Sequence, residues 1–348
     1  MSKRARLVDL LSATRVLPWL AAHPRWNGVV VLTYHRIGNP AESPLDRNVF
    51  SATAAEFDEH ISFLKRESDI VGPGDISELV RRPGRHVMIA FDDGYRDNYD
   101  LAFPILTAHG VPATFFLCTG FLDGQVMSWW DEIAWLVRSS PLPEIRLSPW
   151  LDTPLRVGPL KSEASIQTVL ARYKSLSSHS AQEMVATLRD RSGSPVLDAG
   201  IADNLWMTWE MAREMAAAGM EIGGHTVTHP LLSRLDGTAQ REEIGGGQDR
   251  ITEELGLPAT AFAYPVGSAD AFDETTKAAV AGAGFRSAFS FYGGYAREMT
   301  WDPFDIPRTY IATGTNSSTL RAILAVPQVL ISGIRLPSLK PAARSTLG

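Results

Sequence analysis

Two short segments of this chain carry complementary chemistry. Phe91-Asp92-Asp93-Gly94 places two adjacent carboxylates directly after the apolar run Val87-Met88-Ile89-Ala90-Phe91. His225-Thr226-Val227-Thr228-His229-Pro230 places two imidazoles four residues apart, after Glu221-Ile222-Gly223-Gly224. Two histidines and one aspartate suffice to hold a Zn²⁺-like ion with positions left open for water and substrate. The spare aspartate can take a proton from that water. The histidine spacing puts both side chains on one side of a helical turn or tight loop. A histidine pair alone is a weak signal, and helix capping explains one aspartate cheaply. Capping does not explain all four residues together. The chemistry they imply is metal-dependent hydrolysis.

These groups can meet only if the intervening chain folds back on itself. Apolar runs at 29–34, 87–91, 113–118, 221–224, 259–264, 286–291 and 305–311 read as strands. Stretches at 57–66, 98–110, 208–219 and 241–255 read as helices. Phe57, His60, Ile61 and Leu64 share a face of the first, and Gly110 closes the second. This alternation predicts an α/β fold, a parallel sheet or barrel with helices outside. In such barrels the active site forms just past the C-terminal ends of the strands. Asp92, Asp93, His225, Pro265 and His35 all fall there. The stretch 121–204 breaks the rhythm and reads as an insertion between two strands, with a helical piece at 166–176. Its Trp129 and Trp130 fit stacking on a pyranose ring and filling the insertion's own core equally well. Asp97 is expected to cap or support the helix that follows it. His23, His60, His86, His109 and His179 lack any partner spacing.

The 348 residues allow one large domain or two smaller ones. With 45% hydrophobic and 21% charged residues the chain can bury a sizeable core. A net charge of −6 without a basic stretch excludes a general nucleic-acid binder. The single cysteine, Cys118, cannot form an internal disulfide. Residues 1–26 read as an amphipathic helix that resembles a signal peptide only loosely, because Asp9 and Arg15 interrupt its apolar region. Residues 313–348 read as a basic, apolar tail in which Leu320, Ile323 and Leu324 alternate with Arg321 and Arg335. Two such ends suggest a cytoplasmic protein or one peripheral to a membrane, with export left open. Oligomeric state is open as well.

The two motifs resemble those of the polysaccharide deacetylase family, the NodB-homology or carbohydrate esterase family 4 hydrolases. That family's Thr-Phe-Asp-Asp-Gly stands here as Ala90-Phe91-Asp92-Asp93-Gly94, and its His-(Ser/Thr)-x-x-His-Pro as His225 to Pro230 in full. The resemblance implies a distorted (β/α) barrel over 27–312 and one divalent metal ion, Zn²⁺ with Co²⁺ or Ni²⁺ as alternatives. It implies removal of an acetyl group from an N-acetylated sugar, in a polysaccharide or its lipid-linked precursor. Asp93, His225 and His229 would bind the metal, and Asp92 would be the general base.

Two positions depart from the commonest family pattern. Ala263 stands where an arginine usually orients the base, and no histidine follows His229. The segment Leu32-Thr33-Tyr34-His35-Arg36-Ile37 resembles the opening strand of deacetylases acting on exopolysaccharides such as poly-N-acetylglucosamine. Those also carry an Ala-Tyr-Pro form of the third motif. That branch implies His35 as the missing histidine, the acid that protonates the leaving amine. Arg308, at a strand end, is expected at the substrate or as the replacement for the missing arginine beside Asp92. Tyr264 and Pro265 are expected at the substrate through a neighbouring backbone N–H. Two other readings fit the same residues: a deformylase or O-deacetylase on a related sugar, and a non-catalytic sugar-binding protein on the same barrel.

Overall fold

The computed structural model describes residues 26–124, 127–158, 161–327 and 331. Its centre is a closed barrel of parallel strands: β1 (Val29–Tyr34), β2 (His86–Asp93), β3 (Thr114–Leu117), β4 (Glu221–Gly224), β5 (Ala261–Ala263), β6 (Ser287–Ser290) and β7 (Ile306–Tyr310). They pair in chain order, and β1 pairs with both β2 and β7, which closes the ring. The longer helices are α1 (Ala54–Glu67), α2 (Phe103–His109), α3 (Trp129–Arg138), α4 (Ser162–Ser175), α5 (Ser178–Ser192), α6 (Trp209–Ala217), α7 (Gly237–Leu255), α8 (Glu274–Gly282) and α9 (Ser317–Ala325). The (β/α) barrel expected from the sequence is therefore the observed fold.

The strands are buried on both faces, which is why they read as continuous apolar runs. Alternate residues serve two different layers. Val29, Val31, Met88, Ala90, Phe116, Ala261, Ala263, Phe289 and Ile306 fill the barrel interior. Val30, Leu32, Val87, Ile89, Phe91, Phe115 and Phe262 face the helices. That parity places His35, Asp92, His225 and Arg308 on the inward register at the C-terminal ends of their strands.

Helix α1 shows how the outer layer is specified. Thr53 and Glu56 form a reciprocal capping box that satisfies its first free N–H groups. Lys65 and Arg66 in the last turn complement the helix dipole. Phe57, Ile61, Phe63 and Leu64 are buried, each contributing about 1.5–3 kcal/mol by leaving water. His60 lies on the same face, 3.3 Å from the Tyr34 hydroxyl and 2.8 Å from the Thr315 carbonyl oxygen. Helix α9 packs against α1 and buries Leu320, Ile323 and Leu324 in this layer. These tail residues belong to the core. Most of the N-terminal helix read at 1–26, and the tail beyond 331, lie outside the described residues. No described helix is long and apolar enough to cross a membrane.

The segment between β3 and β4 carries α3, α4 and α5 and a short hairpin pairing Glu144–Ile145 with Leu155–Arg156. Its apolar residues, among them Ile133, Val137, Ile166, Val169 and Leu188, form a cluster that also takes in Leu45, Tyr95 and Phe121 from the barrel's rim. The insertion is thereby welded to the mouth of the barrel.

A candidate metal and catalytic centre at the barrel mouth

Asp93, His225 and His229 converge at the C-terminal end of the barrel, each almost fully buried. The Oδ1 atom of Asp93 lies 3.4 Å from His225 Nε2 and 3.5 Å from His229 Nε2. Ligands held about 2.0–2.1 Å from a tetrahedral ion sit about 3.3–3.4 Å from one another, so the spacing suits such an ion. Two further observations support the fit. Asp93 Oδ1 is buried without a hydrogen-bond partner. His225 Nδ1 lies 2.7 Å from the Ala263 carbonyl oxygen, which can only accept, so Nδ1 carries the proton and Nε2 presents its lone pair. A carboxylate oxygen facing an imidazole lone pair in a buried site calls for a cation between them. Burial, opposed by Asp93, holds His229 down at about 3, in the neutral form that metals bind.

The local backbone is shaped to this end. Among the described residues, the non-glycine residues with positive φ are Asp93 (76°), Thr226 (69°), His229 (58°) and Val266 (60°), all at the barrel mouth. Such conformations cost energy and cluster where function requires them. At Asp93 the left-handed turn breaks the strand's alternation, so two adjacent carboxylates line one cavity instead of facing opposite layers. The histidines come from a tight loop after β4, one of the two settings their spacing allows. Glu243 on α7 clamps that loop, accepting from Val227 N (3.0 Å), Thr228 N (2.8 Å) and Thr228 Oγ1 (2.5 Å). One turn on, Gly247 lets α7 approach the loop: a Cβ there would lie 3.2 Å from the Thr226 carbonyl carbon.

Asp92 is held from the last strand. Arg308, wholly buried, reaches both Asp92 oxygens from Nη1 at 2.5 and 2.7 Å and donates from Nε to the Ser290 carbonyl at 3.1 Å. Phe116 and Phe291 lie against its guanidinium, 5.6 and 5.1 Å from ring centroid to Cζ. The sequence left two places open for Arg308: its Nη1 and Nε are engaged beside Asp92, by that carboxylate and by Ser290, while the residue also lines the cavity. His35 Nε2 lies 3.8 Å from Asp92 Oδ2, with the ring edge-on to Phe291 and Tyr310. The His35 backbone is fixed by Ser51 Oγ on its N–H and by Asn98 Nδ2 on its carbonyl. Asp97 makes no capping bond to its own helix. It accepts from Ile37 N at 2.9 Å and Arg36 Nε at 2.8 Å, tying the end of β1 to the segment after β2.

Of the two residues expected at the substrate, Tyr264 lines the cavity and Pro265 does not. Tyr264 shares register with Phe262, so its ring faces the helix layer and stacks on Phe272 at 4.0 Å, with its hydroxyl bonded to Phe304 O. Its N–H is spent on Phe289 O, and Pro265 has none. Val266, not Pro265, lines the cavity here. Trp130 is core and wall at once: its indole N–H donates to the Tyr95 hydroxyl (2.6 Å) and its ring stands edge-on to His229 at 4.5 Å. Trp129 lines the cavity with one face covered by Tyr173, at 4.1 Å and 8°.

The resulting cavity, about 170 Å³, brings together His35, Asp92, Asp93, His225, His229 and Arg308 with Trp129 and Trp130 from the insertion. Asp46, Lys174 and Phe291 also line it, and no local pattern in the chain marks them. Glu243 and Gly247 were missed too, although the run Gly245-Gly246-Gly247 within a helix is a visible oddity that signals close packing.

A family model described as polysaccharide deacetylase matches residues 80–140 and 172–288, just over half of the chain. The putative polysaccharide deacetylase YxkH of Bacillus subtilis (strain 168) is 32% identical over 92 residues, 25% of this chain and 30% of that protein. The chain thus matches under a third of the length of this curated relative. Among solved structures, the Streptococcus pyogenes deacetylase PplD in complex with acetate aligns with a TM-score of 0.55 at 18% identity, covering 86% of this chain and 97% of that one. IcaB from Ammonifex degensii aligns at 0.54 and 21% identity over 87% and 99%. A de-N-acetylase from Aggregatibacter actinomycetemcomitans aligns at 0.53 and 18% over 84% and 98%. At these identities the likeness is one of fold.

Proposed function

Starting from a chain that belongs to the polysaccharide deacetylase family, we propose that it is a metal-dependent hydrolase that removes the acetyl group from an N-acetylated sugar. The observation that carries this reading is the carboxylate pair with divided duties. Asp93 faces two imidazoles, while its neighbour Asp92 is fixed by Arg308 with His35 beside it. Relatives named for de-N-acetylation, or bound to acetate, make the acetyl amide the natural bond to test.

Asp93, His225 and His229 would hold the ion, for which Zn²⁺ is the first choice and Co²⁺ or Ni²⁺ would also suit the ligand set. When bound, the ion polarises the acyl carbonyl and makes a water molecule acidic enough to attack near neutral pH. Asp92 accepts the proton that this water gives up as its oxygen bonds to the acyl carbon. Arg308 keeps the carboxylate turned into the cavity, so no reorientation is needed when the proton moves. The C–N bond then breaks, and His35 delivers a proton to the departing amine. Acetate and a free amino sugar are the products.

The binding-protein alternative drew on Ala263 and on the lack of a histidine after His229. Arg308 bonded to Asp92, and His35 at 3.8 Å from it, offer substitutes for those two departures, which supports catalysis. Acetate release from N-acetylated sugar oligomers by the Zn²⁺- or Co²⁺-loaded protein tests the proposal. Release of formate, or of acetate from O-acetyl esters alone, would move the reading to the deformylase or O-deacetylase alternative. Binding of sugar without release of any acyl group would leave the non-catalytic reading.

A further inference from the structure

The insertion brings to the catalytic cavity a cation without a carboxylate partner. Lys174, near the end of α4, lines the cavity together with Leu170 one turn earlier, Trp129 and Asp46. The neighbouring charges on this flank are engaged elsewhere except Asp46, whose carboxylate favours the lysine's charged form from beyond ion-pair distance. Glu163 takes Arg138 and lies 3.9 Å from Arg47. Asp46 accepts from the Asn48 backbone at 3.0 Å and its side-chain amide at 3.1 Å. Asp92 is occupied by Arg308. Among the described residues none forms an ion pair with Lys174, and its ammonium instead lies 5.7 Å from the Trp129 ring centroid. That ring is immobilised by Tyr173 stacked against it and by its Nε1, 3.4 Å from the His229 carbonyl oxygen. The lysine therefore stands beside a rigid wall that runs directly to a presumed metal ligand.

We infer that Lys174 recognises an anionic group on the substrate, a carboxylate or a phosphate next to the acylated sugar, and so selects a charged glycan or glycosyl phosphate over a neutral glucosamine polymer. The inference rests on the deacetylase reading for the placement of the sugar. Three features support it. The Asp92–Arg308 pair cancels its own charge. The Asp93 carboxylate is offset by the ion it would bind. Apart from Asp46, His35 and Tyr264, the remaining wall of Val49, Leu170, Val266 and Phe291 is apolar, and such surroundings strengthen an ammonium–anion contact.

The test is calorimetric binding of three probes to the full chain: chitotetraose, a heparosan tetrasaccharide with glucuronate beside N-acetylglucosamine, and UDP-N-acetylglucosamine. At least one anionic probe is expected to bind about tenfold more tightly than chitotetraose, the scale of one charge-assisted hydrogen bond. Lys174→Gln abolishes that preference and Lys174→Arg keeps it. Which anionic probe responds separates carboxylate from phosphate. Equal affinities, a preference that survives in Lys174→Gln, or no binding of either anionic probe overturns the inference. Acetate release on the same probes separates the two claims. Release without charge preference sinks the inference and leaves the deacetylase reading, whereas charge-selective binding without release does the reverse.

Discussion

Arg308 Nη1 lies 2.5 and 2.7 Å from the two carboxylate oxygens of Asp92, a residue 216 positions earlier in the chain. Both side chains are almost completely buried. Strands β7 and β2 do not pair with each other; β1 lies between them and pairs with both. Closure of the barrel brings the two residues together across its interior. The pair supplies the means to orient a base in a chain whose third motif carries Ala263.

Breaking one side of that pair leaves an unpaired buried charge. Arg308→Met is expected to cost about 3–5 kcal/mol of stability, and adding Asp92→Asn should restore much of it, because the stranded carboxylate is gone. Neither variant should release acetate. Denaturant unfolding of the single and double variants reads the first effect. An Arg308→Met protein as stable and active as wild type would show that the pair does not hold the base.

His35 approaches Asp92 from β1 without forming a short hydrogen bond, as suits a group that serves the leaving amine. His35→Gln should lower kcat by about 10²- to 10⁴-fold, the usual worth of a positioned acid, while bound metal stays unchanged. Stopped assays beside metal analysis check both halves. Full turnover in the variant would remove the assignment.

Glu243 and Gly247 act on the metal loop from α7. Glu243→Ala should weaken Zn²⁺ affinity about 10- to 100-fold, the scale seen when a group behind the ligands is lost. Gly247→Ala should favour the helix by up to about 1 kcal/mol and still weaken Zn²⁺ binding, since its methyl would press on Thr226. Competition with a chromophoric chelator measures both. An unchanged affinity in the two variants would mean that the loop holds its shape unaided.

Asp131 gives the fold a pH dependence outside the metal centre. It accepts from the Tyr95 and Ser128 hydroxyls, both at 2.7 Å, and from Asp46 N at 2.9 Å. Burial outweighs these bonds and raises its carboxyl from 3.8 to about 6. Between about pH 4 and 6 the folded state then holds more of this proton than the unfolded state does. Its contribution to stability therefore falls as pH rises through that window, by about 3 kcal/mol in all. Asp131→Asn removes this component, so the stability of the variant relative to wild type should climb from pH 4 to 6 and level off above. A flat difference across the window would show that Asp131 ionises as it does in the unfolded chain.

Most of the barrel could be read from the chain because each strand is short, apolar and bounded by polar residues. The candidate metal ligands and Asp92 were legible for a related reason: they stand at strand ends in two compact motifs. Register carried more information than was used. Tyr264 is two residues from Phe262, and a helix-facing Phe262 already turns the tyrosine ring toward Phe272. The same parity points Arg308 inward with Ile306. Other contributors had no local signature. Lys174 reaches the cavity only because α4 folds over it, which no periodicity within the insertion announces. Asp46 arrives from the loop after β1, held by Asp131 85 positions later.

The claim on which the account turns is that Asp93, His225 and His229 form one metal centre. Metal analysis of the purified chain, wild type beside His229→Ala, tests it most directly. The account predicts about one divalent ion per wild-type chain after loading with Zn²⁺, and its loss in the variant, with acetate release lost in parallel. A wild-type chain that takes up no ion from Zn²⁺ or Co²⁺, or a variant that binds it equally well, would contradict the account.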